Sequence, residues 1–165
     1  MEEKISFKSE NQKIIGSLHY QDKTKKHPAV LVLHGFEGNK DRIKEVSISS
    51  TLAKEGFVAL RFDCVGCGES DGSFEEMCIS DQVRDLSNAI TYIQGLSFVD
   101  SERVSAIGSS LGGRDVILYC SENYDLKSIC LVAPAINKKG MWNRIEKEGN
   151  LKYYGKDVIL KDKFK

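Results

Sequence analysis

The chain has 165 residues, 24 basic and 24 acidic side chains, and a formal net charge of zero. That length suits one domain with a real core. The balanced charge argues against a general nucleic-acid or membrane-surface role, and no apolar run reaches the roughly 18 residues a spanning helix needs.

The N-terminus, MEEKISFKSE, holds no apolar stretch of the signal-peptide kind, so no secretory signal is expected there. Ile5 and Phe7, then Ile14, Leu18 and Tyr20, alternate as two strands around a polar turn at Ser9–Lys13. Ala29–Leu33 is a continuous apolar run, the pattern of a strand buried on both faces. It ends at His34-Gly35-Phe36. Val46–Lys54 reads as a helix closed at Gly56, and Phe57–Phe62 as a second buried strand. A glycine-rich loop, Asp63–Gly72, follows. Over Ser80–Gln94, Val83, Leu86, Ile90 and Ile93 recur at helical spacing, with Ser80 as a candidate cap and Gly95 beyond the end.

Arg103–Ile107 is a third parallel-type strand, Gly108–Gly112 a tight turn, and the helix after it runs to about Glu122. Ser128–Val132 is a fourth strand, ending at Ala133-Pro134-Ala135. A hairpin followed by alternating strands and helices predicts a mostly parallel, doubly wound α/β sheet. Residues 137–165 differ in kind. They carry nine Lys/Arg against four Asp/Glu, a net of +5, which leaves −5 on residues 1–136.

The cysteines are Cys64, Cys67, Cys78, Cys120 and Cys130, an odd number at irregular spacing. No disulfide framework is expected from them. Cys64-x-x-Cys67 lacks a second ligand pair for zinc and sits in a glycine loop, not at a helix start. Reduced, mostly buried thiols in a cytoplasmic protein are expected, with no metal and no cofactor.

Gly108-Ser109-Ser110-Leu111-Gly112 fits G-x-S-x-G with Ser110 as nucleophile. A serine at a sharp strand-to-helix turn adopts a strained backbone, and glycine two residues to either side avoids the resulting clash. Its hydroxyl then stands clear of the sheet, and the Leu111 N–H at the helix N-terminus can face a developing oxyanion. His34-Gly35-Phe36 ends a neighbouring strand on the same sheet edge, where open α/β sheets bind ligands. Phe36 N–H is a candidate second donor, and His34, Gly35 and Ser109 are candidate substrate contacts. As a base His34 is disfavoured against a turn-shaping role. Gly66 begins a near miss of the dinucleotide fingerprint, since Asp71 stands where its last glycine belongs, and no phosphate-binding P-loop occurs. Asp63 is expected to bond backbone within the glycine loop.

HGFEGNK, RFDCVGCGESDG, IGSSLGG and LVAPA, in this order and spacing, resemble the α/β-hydrolase family. Within it they are similar to the small cinnamoyl/feruloyl-esterase-like and serine aminopeptidase-like hydrolases. The resemblance covers roughly Ile5 to Ala135. It implies that Ser110 attacks an ester or amide carbonyl of a small molecule, that Phe36 and Leu111 supply backbone oxyanion donors, and that the Asp63–Gly72 loop packs beside the site. In that family the triad runs Ser, then Asp or Glu, then His. Here the histidines are His19, His27 and His34, all ahead of Ser110, and Asp157 and Asp162 are poor candidates for the acid. The expectation is therefore an N-terminal part of the fold: core over 1–136, the start of a lid insertion or an irregular tail over 137–165, and C-terminal strands missing. The alternative is a hydrolase-like domain without a triad, used for binding or assembly. An edge left open near Ser128–Val132 is expected to favour self-association.

Overall fold

The first two alternating stretches form an antiparallel hairpin, β1 (Glu2–Ser9) and β2 (Gln12–His19). Its register sets Ile5 opposite Gly16 and Phe7 opposite Ile14. The connection is only Glu10 and Asn11, tighter than the expected turn, with Glu10 at φ 52°. The computed structural model describes residues 1–136 and, beyond them, only the strands Leu151–Tyr154 and Asp157–Leu160.

The apolar runs become β3 (His27–Leu33), β4 (Val58–Phe62), β5 (Val99–Ser109) and β6 (Ile129–Val132). The helices are α1 (Ile43–Lys54), α2 (Ile79–Gln94) and α3 (Leu111–Glu122). The six strands lie in the order β1-β2-β4-β3-β5-β6. β4, β3, β5 and β6 run parallel, and β2 joins antiparallel to β4. This is the expected mostly parallel sheet with its N-terminal hairpin. β7 (Leu151–Tyr154) and β8 (Asp157–Leu160) pair antiparallel in a separate two-stranded sheet. The expected lid or tail over 137–165 otherwise lies outside the described residues.

Several boundaries differ from the sequence reading by a residue or more, among them the starts of α1, α2 and β5. α1 begins at Ile43, three residues early, because its first turn carries no helical apolar period: Ile43 is 89% exposed. Ser80 does not cap α2. Cys78 holds the N-cap position, and its thiol donates to the Asp81 carboxylate at 2.8 Å. β5 starts at Val99, where Val99 pairs with His27 ahead of a register irregularity that no periodicity announces.

Strand alternation separates the two faces of the sheet. One carries Ile14, Leu18, Leu31, Leu33, Leu60, Phe62, Val104 and Ala106, packed beneath Leu86, Ile90 and Ile93 of α2 and Val116 and Ile117 of α3. The other carries Ser17, His19, Val30, Val32, Ala59 and Arg61, all buried, and α1 packs on this face. The chain leaves β3 toward α1 and leaves β5 toward α3. The crevice between the C-terminal ends of β3 and β5 is thus a topological switch point, the place where such sheets open a site.

Candidate active site

Ser110 stands at that crevice. It links the end of β5 to the first residue of α3 with φ 52° and ψ −111°. Positive φ is uncommon for a residue with a Cβ, and strain of this kind persists only where the surroundings over-determine it. They do so here. Ser110 N–H donates to the Val132 carbonyl at 2.9 Å, and its own carbonyl accepts from Ala135 N–H at 2.8 Å and Arg114 N–H at 3.1 Å. The end of β6 therefore grips the turn from both sides. The side chain makes no capping bond to α3, and its hydroxyl lies beside the Gly35 backbone with no hydrogen-bond partner among the described residues.

The glycines explain themselves by close approach. A Cβ on Gly108 would lie 2.4 Å from the Gly112 carbonyl oxygen, and one on Gly112 would lie 2.5 Å from the His34 carbonyl oxygen. A Cβ on Gly35 would come within 3.1 Å of Ser110 Cβ and 3.7 Å of its Oγ. The loop after β3 and the turn after β5 thus touch through bare backbone. Leu111 is the first residue of α3, so its N–H has no acceptor within the helix. Phe36 N–H makes no backbone hydrogen bond among the described residues. The Phe36 ring is 56% exposed and lies 5.4 Å from the Phe74 ring, which belongs to a single 3₁₀ turn, Phe74–Glu76, after the glycine loop.

His34 is buried, and both ring nitrogens are engaged by backbone. Cys64 N–H donates to Nε2 at 3.3 Å, which leaves Nδ1 as the protonated nitrogen, donating to the Gly35 carbonyl at 2.8 Å. It shapes the turn and leaves no nitrogen for Ser110 or a ligand. His27 Nδ1 bonds the Gly56 carbonyl at 3.0 Å, and His19 Nε2 accepts from Arg61 Nε at 2.9 Å. None of the three histidines hydrogen-bonds to Ser110 among the described residues. Ser109 points to the opposite face, where Lys44 Nζ of α1 donates to its hydroxyl at 2.6 Å.

Asp63, fully buried, does what its place in the glycine loop predicts. It accepts from Lys40 N–H at 2.6 Å and Glu69 N–H at 3.0 Å. Gly68, at φ 53°, is required there, since a Cβ would sit 2.2 Å from Asp63 Oδ2. Lys40, 2% exposed, pairs with Asp63 at 3.2 Å, Asp41 at 2.7 Å and Glu69 at 2.5 Å. Burial alone would lower the pKa of this ammonium; the three carboxylates outweigh it and hold the pKa above the usual lysine value.

Cys64 and Cys67 are buried and unpaired. Burial pushes the Cys64 thiol well up and the Cys67 thiol to about 11, the opposite of what thiolate chemistry needs. The sequence reading also passed over Asp85 and Asp115, both 1% exposed behind the glycine loop. Asp85 accepts from Val65 N–H at 2.7 Å, and burial raises its carboxyl. Burial lifts Asp115 to about 6, against the opposing pull of Arg114. Arg61 was overlooked too, although a charge inside an apolar run was the visible signal.

Fold and crevice together define an α/β-hydrolase. The family profile described as "Serine aminopeptidase, S33" matches residues 24–153, and the chain belongs to that family. Among its relatives, the quorum-quenching protein AidA of Acinetobacter baumannii is 26% identical over 131 residues, 79% of this chain and 43% of that protein. The mouse mitochondrial palmitoyl-protein thioesterase ABHD10 is 26% identical over 140 residues, 84% of this chain and 44% of that protein. Est1E from Butyrivibrio proteoclasticus, solved with ferulic acid bound, superposes with a TM-score of 0.74 at 23% identity, covering 97% of this chain and 68% of that one. The α/β-hydrolase GrgF from a Penicillium species gives 0.77 at 22%, covering 90% and 52%. The structural likenesses establish the fold. The chain spans less than half the length of these curated relatives. No helix among the described residues is long and apolar enough to cross a membrane.

Proposed function

We propose that this chain carries the nucleophile half of a serine carboxylic-ester hydrolase, with Ser110 as nucleophile and the Phe36 and Leu111 N–H groups as oxyanion donors. The observation that carries the reading is Ser110 itself: a non-glycine residue at φ 52°, gripped by β6, its hydroxyl uncapped, with the Gly35 backbone packed against it. In the reaction Ser110 Oγ bonds to the carbonyl carbon of a small ester or amide. Its proton passes to a base, the oxyanion settles on the two N–H groups, and the leaving group departs with that proton. Water then hydrolyses the acyl-enzyme by the same route. Gly35 borders the substrate, whereas the Ser109 side chain, turned to the α1 face, does not reach it.

The base is not His19, His27 or His34, each of which is committed elsewhere. It comes from residues outside 1–165, with 1–136 as the core and 137–165 opening a lid. The thioesterase relative favours an acyl substrate, and the ferulic acid bound to Est1E favours an aromatic acyl group. The buried, unpaired thiols fit a cytoplasmic setting. β6, with Cys130 exposed and Val132 40% exposed, is the edge through which copies would associate. The detached histidines also support one alternative, a hydrolase-like binding domain without turnover.

A fluorophosphonate probe tests the reading. With no base in place it should label Ser110 slowly but in preference to the other serines, and not in Ser110→Ala, while the 165-residue chain turns over p-nitrophenyl esters only weakly, as an oxyanion hole without its base would. Ordinary turnover abolished by Ser110→Ala would overturn the external base. Labelling of Ser110 no faster than of the other serines would favour the binding domain.

A further inference from the structure

The loop that carries Phe36 has no regular structure, yet it must hold one N–H group in place. Its first part is fixed by the His34 ring, which ties the Gly35 carbonyl to Cys64 N–H. Gly38 N–H then closes a turn onto the Gly35 carbonyl at 3.0 Å, with Phe36 and Glu37 at its corners. The far end is gripped by two buried charges of opposite sign. Lys40 N–H donates to Asp63 Oδ1 at 2.6 Å, and the Lys40 carbonyl accepts from Arg61 Nη1 at 2.9 Å. The main chain of one residue is thus held at both its donor and its acceptor.

Arg61 is itself fixed on every side. Its Nε donates to His19 Nε2 of β2, its Nη1 also donates to Asp41 at 2.5 Å, and its Nη2 reaches Glu2 of β1. Arg61 is 2% exposed and Asp63 fully buried. Stability alone does not account for such groups, since apolar residues of the same volume commonly serve as well. Charge-assisted bonds are short and directional, and they fix geometry.

We propose that Arg61 and Asp63 are positioning residues that clamp the Lys40 main chain and thereby set the Phe36 N–H against Ser110. The clamp connects the N-terminal hairpin, through Glu2 and His19, to the loop facing the nucleophile. Its positioning role rests on the serine-nucleophile reading above; the clamp itself does not.

The test has two readouts on the 165-residue chain. By amide hydrogen exchange, Lys40 N–H should be protected like the amides of β3, at least about a hundredfold beyond those of the Gln21–Lys26 loop. Arg61→Lys and Asp63→Asn should speed Lys40 exchange at least about tenfold while leaving Ile107 in β5 unchanged. Both variants should also slow fluorophosphonate labelling of Ser110, per folded molecule, by about tenfold or more, since small misplacements of such donors are expensive. Glu69→Gln, which removes the ion pairs to Lys4 and to the Lys40 ammonium but no bond to the Lys40 main chain, should label like the unaltered chain. Lys40 N–H exchanging at the Gln21–Lys26 rate overturns the clamp without recourse to any variant. Variants that melt lower yet label at the unaltered rate overturn the positioning role. A chain that labels Ser110 no faster than its other serines but protects Lys40 supports the clamp and overturns the nucleophile reading.

Discussion

The two faces of the sheet are built from different chemistry. Under α2 and α3, Leu31, Leu33, Leu60 and Phe62 bury apolar surface and nothing else. Under α1, the intervening positions of the same strands bury Ser17, His19 and Arg61 beside Val30, Val32 and Ala59, and the loops above add Lys40 and Asp63. The first face supplies stability, because burial of aliphatic and aromatic area is non-directional and large. The second supplies geometry, because its bonds run between named atoms and reach the loops around Ser110. One sheet thus separates holding the fold together from holding the site in place.

Truncation on the two faces is the sharpest way to break that contrast. Phe62, 1% exposed and edge-on to Phe7 at 5.7 Å, should cost about 3–5 kcal/mol on change to Ala. Ile107 lies on the α1 face and is only half-buried. Ile107→Ala should cost about 1 kcal/mol or less. Urea unfolding of both variants checks this, and equal losses would mean that the two faces share the stabilising role.

Behind the glycine loop, on the apolar side, Asp115 offers a charge where the contrast expects none. Its carboxyl is raised from 3.8 to about 6, so the folded state binds a proton that the unfolded state has released across that window. The stability linked to it is full below about pH 4 and is lost as pH rises through 6. Asp115→Asn should remove that loss, gaining on the order of 3 kcal/mol at pH 7 at most. The check is the urea midpoint against pH: the variant should be flatter between pH 4 and 6. A variant no more stable at pH 7 would mean that the Arg114 contacts at 2.8 and 3.1 Å already offset the burial.

Legibility in the sequence follows the same division. The apolar face was readable because its signals are local: runs such as Ala29–Leu33, and Leu86, Ile90 and Ile93 at helical spacing. The Ser110 turn was readable because its steric demand falls on glycines two residues away. The Lys40 clamp was not. Its partners stand 21 and 23 residues off, and nothing in a one-dimensional period pairs them. Alternation also misleads on this face. His19 and Arg61 occupy the positions where a strand usually meets water, and only α1 and the loops above it turn those positions inward. Ser80 failed as a cap for a nearer reason: helix α2 starts one residue before it, at Ile79.

The smallest effect concerns the α1 face itself, and it runs opposite to Asp115. Burial lowers the pKa of His19 below 6.5; the adjacent Arg61 guanidinium adds to the lowering, and Glu2 opposes it. The folded state therefore holds His19 neutral, with Nε2 free to accept from Arg61 Nε. On acidification below 6.5 the unfolded chain takes up the proton first, so the stability tied to neutral His19 is present above pH 6.5 and is lost as pH falls through the lower, folded value. His19→Gln keeps an acceptor for Arg61 but cannot titrate. In an Asp115→Asn background, which removes that residue's opposing slope, the His19→Gln variant should lose less stability than the chain with His19 as pH falls from 6.5. Identical slopes would mean that His19 accepts its proton without disturbing Arg61. The polar face would then be looser than its hydrogen bonds imply.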